Sequence, residues 1–103
     1  MPQDYFARRV TLTNANQTYR LSDLIQVVES GAPLGGNEVY LEMPDDSPGG
    51  GRIVRGDANL AAMSDGQPFS PAISTRTAGK DTTRIFVRTD TAGAQLFVEI
   101  TQN

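Results

Sequence analysis

The chain has no cysteine, no histidine and no tryptophan. Without cysteine there are neither disulfides nor thiolate metal sites, so the redox state of the compartment leaves no mark on the sequence. Without histidine, the commonest general base, metal ligand and physiological pH switch are all missing, and chemistry would fall to carboxylates and hydroxyls. Long apolar runs are also lacking. No stretch approaches the ~18 consecutive apolar residues that a membrane span needs, and Met1-Pro2-Gln3-Asp4-Tyr5-Phe6-Ala7-Arg8-Arg9 carries no apolar core of signal-peptide length. Basic charge is scarce: 9 Lys and Arg stand against 12 Asp and Glu, for a net charge of −3. No basic run exceeds two residues, which argues against a general nucleic-acid binder. Only Lys80 is a lysine; the other basic residues are arginines, which favour stacked or bidentate contacts with protein.

What is present is β-forming sequence punctuated by 10 glycines and 6 prolines. At 103 residues the chain makes one domain with a modest core. Arg84–Thr89 and Ala94–Ile100 both alternate with period 2 around Asp90-Thr91-Ala92-Gly93, and read as an antiparallel hairpin central to the fold. Ile85, Val87, Leu96, Val98 and Ile100 would form its apolar face, with Phe86 and Phe97 partly covering the other. Phe6–Thr13 and Glu38–Met43 read as half-buried strands, the latter with Val39, Leu41 and Met43 inward. Leu21–Glu29 reads as a helix: Leu21, Leu24, Ile25 and Val28 fall on one stripe, Ser22 is the expected N-cap, and Ser30-Gly31 the stop. Two turns of helix must dock on a sheet to persist. Shorter strands are expected at Arg52–Arg55 and Ile73–Thr77, with Phe69 buried between them. The expected fold is mainly β, a small antiparallel β-sandwich or barrel with one short α-helix.

Few residues carry chemistry. Arg55-Gly56-Asp57 matches an adhesive tripeptide, but directly after Ile53-Val54 it reads as a strand end at which Gly56 permits a turn. Asp45-Asp46-Ser47 lacks the spacing of a calcium loop. Glu38 and Glu42 lie ~13 Å apart along a strand, too far to act as a carboxylate pair. No catalytic residue, cofactor or metal is expected. Residues 1–5 read as an arm preceding a single domain over 6–103. Tyr5 and Phe6 supply rings, and Arg8 and Arg9 forked donors, for a partner's surface.

The second half, Val54-Arg55-Gly56-Asp57-Ala58-Asn59-Leu60, then Ser64-Asp65-Gly66-Gln67-Pro68-Phe69-Ser70-Pro71, then Arg84 to Ile100 with Phe86-Val87-Arg88-Thr89-Asp90-Thr91-Ala92-Gly93, resembles small bacteriophage virion proteins. Among these it is most similar to the capsid decoration, or cement, proteins. The resemblance implies a non-enzymatic protein made in the host cytoplasm and carried on the capsid surface. Its partners would be the major capsid protein and further copies of itself, a trimer being favoured over a dimer. A tail, adaptor or head-fibre component is the alternative within virions, and a non-viral β-sandwich binding module the alternative outside them.

Overall fold

A computed structural model describes residues 5–35, 38–44, 46–47, 52–69, 74–76 and 81–101, with side chains left aside at 38 and 74–76. Residues 1–4 of the expected arm at 1–5, residues 48–51 of the Gly-rich loop, 73 and 77 of the strand expected at 73–77, and 78–80 of the turn expected at 78–83 lie outside the described residues. The strands are β1 (Tyr5–Leu12), β2 (Thr18–Arg20), β3 (Glu38–Glu42), β4 (Ile53–Gly56), β5 (Gln67–Pro68), β6 (Ser74–Arg76), β7 (Phe86–Thr89) and β8 (Ala94–Thr101), with helix α1 (Leu21–Val28) following β2. They form two four-stranded antiparallel sheets, β1-β8-β3-β6 and β2-β7-β4-β5. The protein is mainly β, with two open sheets facing each other as in a sandwich.

Alternation decides which residues lie between the sheets. From the first sheet come Phe6, Val10, Leu12, Val39, Leu41, Leu96, Val98 and Ile100; from the second come Ile53 and Val87; α1 adds Leu21, Leu24 and Ile25. All are buried. Each such side chain contributes ~1.5–3 kcal/mol of transfer free energy, so this set outweighs any surface pairing in the chain.

The expected central hairpin is corrected. β7 pairs with β2 and β4 in the second sheet, whereas β8 pairs with β1 and β3 in the first, so Asp90–Gly93 carries the chain across the sandwich. Val87 therefore enters the shared core from the opposite sheet to Leu96 and Val98 instead of lying beside them. Both strands are central in their sheets, as their two-sided apolar character implied. The crossing is fastened locally. Buried Thr89 donates from Oγ1 to the Arg52 carbonyl at 2.6 Å and accepts from the Thr91 amide at 3.0 Å. Gly93, at φ +83°, donates its amide to the Leu12 carbonyl at 2.9 Å, a left-handed conformation that glycine adopts without strain. Outside, Arg52 grips Asp90, with Nη2 2.7 Å from Oδ2.

Helix α1 carries the expected buried stripe, but its N-cap is Arg20 and not Ser22. The chain stays extended through Arg20 at the end of β2, so the helix starts at Leu21, whose amide is met by the Ile85 carbonyl at 2.8 Å instead of a side-chain cap. Ser22 is buried inside the first turn. A second feature absent from the sequence reading lies outside the second sheet. The segment 57–66 folds back over that face, burying Leu60 against Gly56 and placing Gly66 against Val54, while Thr18 Oγ1 donates to the Leu60 carbonyl at 2.7 Å.

Candidate protein-docking face

The solvent side of the first sheet is built by the same alternation that fills the core. Residues of β8 between the buried ones, Gln95, Phe97 and Glu99, point outward, and the register sets Arg9 beside Phe97 beside Glu42, and Ala7 beside Glu99 beside Tyr40. Tyr5 begins β1 opposite Thr101. Three rings, a guanidinium and two carboxylates thus share one flat face.

These groups are held by one another. Tyr40 and Phe97 meet edge to face, with centroids 6.5 Å apart and planes at 75°, close to the geometry that aromatic quadrupoles favour. The Tyr5 hydroxyl donates to Glu99 Oε2 at 2.6 Å, and the Tyr40 hydroxyl to Glu42 Oε1 at 2.7 Å. Arg9 Nη1 donates to Gln95 Oε1 at 3.1 Å and sits 2.9 Å from Asp46 Oδ1, with 45% of its side chain still exposed. Exposed pairs of this kind contribute little stability, ~0–1 kcal/mol each. Their effect is to orient rings and donors before anything binds, which lowers the ordering cost of an association.

The four residues expected to meet a partner are divided by the structure. Tyr5 (51% exposed) and Arg9 lie on this face, about 13 Å apart by strand rise. Phe6 points the opposite way and is 2% exposed in the core, so the expectation that its ring serves a partner is corrected: alternation one residue after Tyr5 commits it to packing. Arg8 shares the parity of Phe6 and stands at the helix side, its Nη1 4.0 Å from Glu29 Oε1. Tyr5, the last residue of the expected arm, is the first residue of β1. Tyr40 and Phe97 were not singled out as site residues, although their place between buried neighbours in Val39-Tyr40-Leu41 and Leu96-Phe97-Val98 was a usable signal.

The Arg55-Gly56-Asp57 tripeptide is absorbed by the fold. Arg55 and Gly56 close β4, the Arg55 guanidinium lies 5.9 Å over the Phe69 ring, and Asp57 Oδ1 accepts from the Asn59 amide at 2.9 Å. Among the described residues no group of three or more acidic side chains could hold a metal ion, and no helix is long and apolar enough to cross a membrane.

Among the described residues, three groups have displaced titrations. The hydrogen bond that Tyr5 donates to Glu99 raises its pKa, aided by slight desolvation and by the carboxylate's charge. Donation from the Thr83 hydroxyl and amide lowers Asp81, and the Arg52 hydrogen bond lowers Asp90. A lowered carboxyl pKa gives stability that is present above the unfolded value of 3.8 and lost as pH falls through the folded one. We therefore expect Arg52→Gln to lower the melting temperature at neutral pH and to converge with the parent protein as the pH falls below the unfolded value and through the lowered one of Asp90. A constant gap down to strong acid would contradict this. The raised Tyr5 pKa has the opposite sense: its contribution is complete below the ordinary tyrosine value and disappears as pH rises through the folded one.

No protein-family model matches the chain, and neither a curated protein nor a solved structure matches it.

Proposed function

We propose that the chain is a bacteriophage capsid decoration protein that docks on the major capsid protein lattice through the outer face of the first sheet. The observation that carries the reading is the set of Tyr5, Arg9, Tyr40 and Phe97 on one sheet face, three rings and a forked donor held in place by their own hydrogen bonds and ring contacts. Tyr and Arg are the residues on which protein interfaces concentrate their energy, because they bring large area and directional donors at low entropic cost. A decoration protein must fold alone and then hold a repeating site by many modest contacts, and a rigid sheet face suits that task. The resemblance of residues 52–100 to cement proteins supports the same class. On this reading the copies gather as a trimer, the dimer being the alternative, and the protein resides on the virion surface.

The test is co-sedimentation of the purified chain with heads assembled from the major capsid protein encoded in the same genome. Saturable binding to intact heads is expected. Binding to tails or isolated connectors instead would favour a tail or adaptor role, and no binding to any particle would overturn the virion reading.

A further inference from the structure

The three ion pairs among the described residues engage Arg8, Arg9 and Arg52. Of the other arginines whose side chains are described, Arg20, Arg55, Arg84 and Arg88 form none of these pairs, and all four belong to the second sheet or the turn that leads into it. Three of them gather at its outer side. Arg20 and Phe86 are register partners on that face, and the Arg20 guanidinium lies 5.4 Å over the Phe86 ring. Stacking fixes the cation while leaving the edge of its fork free to donate. Arg84 ends the 3-10 turn Thr82–Arg84, which Asp81 caps through the Thr83 amide at 2.9 Å and Arg84 closes by donating its amide to the Asp81 carbonyl at 3.1 Å. Between them opens a cleft of about 340 Å³ lined by Arg20, Asp57, Ala58, Thr83, Arg84 and Phe86. Two residues along β7, on the same face, Arg88 spends Nη1 on Thr18 and keeps a buried Nε with no partner among the described residues. The one acid in the cleft, Asp57, is turned to its own backbone at Asn59.

We propose that this cleft is a second binding site, for an acidic segment of a partner protein, in which Arg20 and Arg84 clamp adjacent carboxylates over the Phe86 ring. Charge selects the occupant. The chain as a whole is acidic at −3, yet Arg20, Arg84 and Arg88, which form none of the three ion pairs, stand together on this face, with Asp81 the carboxylate that Arg84 acts on, and such a cluster favours an acidic occupant. Guanidinium forks match carboxylates in pairs, which suits a segment that carries adjacent acids. The site lies on the opposite side of the sandwich from Tyr40 and Phe97, and its existence does not depend on what that face binds. One molecule with both faces occupied would bridge two partners.

The experiment is fluorescence anisotropy with a labelled capped hexaglutamate peptide on the full chain. Binding is expected, weakening severalfold between about 50 and about 200 mM salt as screening shortens the reach of the cluster. Arg20→Gln combined with Arg84→Gln should weaken it at least tenfold, while Arg9→Gln on the other face leaves it unchanged. Both cleft arginines are exposed, so the double variant should keep the parent's melting temperature, and that is checked in parallel. Absence of peptide binding, or binding indifferent to the double variant, would overturn the proposal. Displacement of the peptide by inorganic phosphate at equal concentration would also overturn it, in favour of a small-anion site.

Discussion

Replacing Phe6 by alanine is expected to destabilise the protein by about 3–5 kcal/mol, because it empties a fully packed position. Phe6 is 2% exposed and shares the core with Val10, Leu12 and Ile100, its register partner on β8. A domain of this size has about 5–15 kcal/mol in total, so the variant should be close to unfolding at physiological temperature. The adjacent ring gives the contrast. Tyr5 is half exposed and holds one surface hydrogen bond, so Tyr5→Ala is expected to leave the unfolding midpoint close to that of the parent. Chemical denaturation of the two variants separates packing from docking. A Phe6→Ala midpoint equal to that of the parent would mean that β1 does not cover the core as described.

The second large effect concerns the crossing between the sheets. Thr89→Val keeps the shape of the side chain but removes a hydroxyl that both donates to Arg52 and accepts from Thr91 at a position with no exposure. Two backbone groups lose their partner together. Unmade buried hydrogen bonds cost ~1–3 kcal/mol, and a total of about 2 kcal/mol is expected because Arg52 is itself near water. Thr89→Ser keeps the hydroxyl and should recover more than half of that loss, giving up only a methyl group. Equal stability of parent and Thr89→Val would show that the arch is held by its flanking strands alone.

These positions also show where sequence reading stops. Val39, Leu41 and Met43, and the helix stripe of Leu21, Leu24, Ile25 and Val28, were legible because burial imposes a period that the residues obey. The partnership of β7 and β8 was not. Two alternating strands joined by four residues show the same apolar pattern whether they lie side by side in one sheet or face each other across a core. The difference rests on Thr89 turning inward to satisfy the crossing, and a single threonine at a strand end gives no periodic signal. Leu60 was hidden for a related reason. It is an isolated apolar residue in a Gly-Asp-Ala-Asn bend, and its burial depends on Gly56 leaving room beneath it on β4, where a Cβ would stand 3.4 Å from the leucine side chain. Ser22 had the chemistry of a cap, but β2 ends only at Arg20, and the Ile85 carbonyl took the role from a distant part of the chain.

The candidate site followed the same division. Tyr5 and Arg9 were visible as a ring and a fork near the N-terminus, and nothing local placed them beside Tyr40 and Phe97, more than thirty and more than eighty residues away in the chain. Long-range strand register makes that juxtaposition. Phe6 and Arg8 were grouped with them by proximity in sequence, which a strand undoes at every second residue.

The docking face of the first sheet is the central claim, and Arg9→Glu tests it most directly. The substitution exchanges a forked donor for a like charge beside Asp46 and Glu42 without touching the core, and it leaves the arginine cleft of the opposite face intact. Measured by co-sedimentation with heads from the same genome, Arg9→Glu should lose at least tenfold in affinity while retaining the hexaglutamate binding of the parent. Undiminished decoration of heads by a folded Arg9→Glu protein would contradict the account and move the contact away from this face.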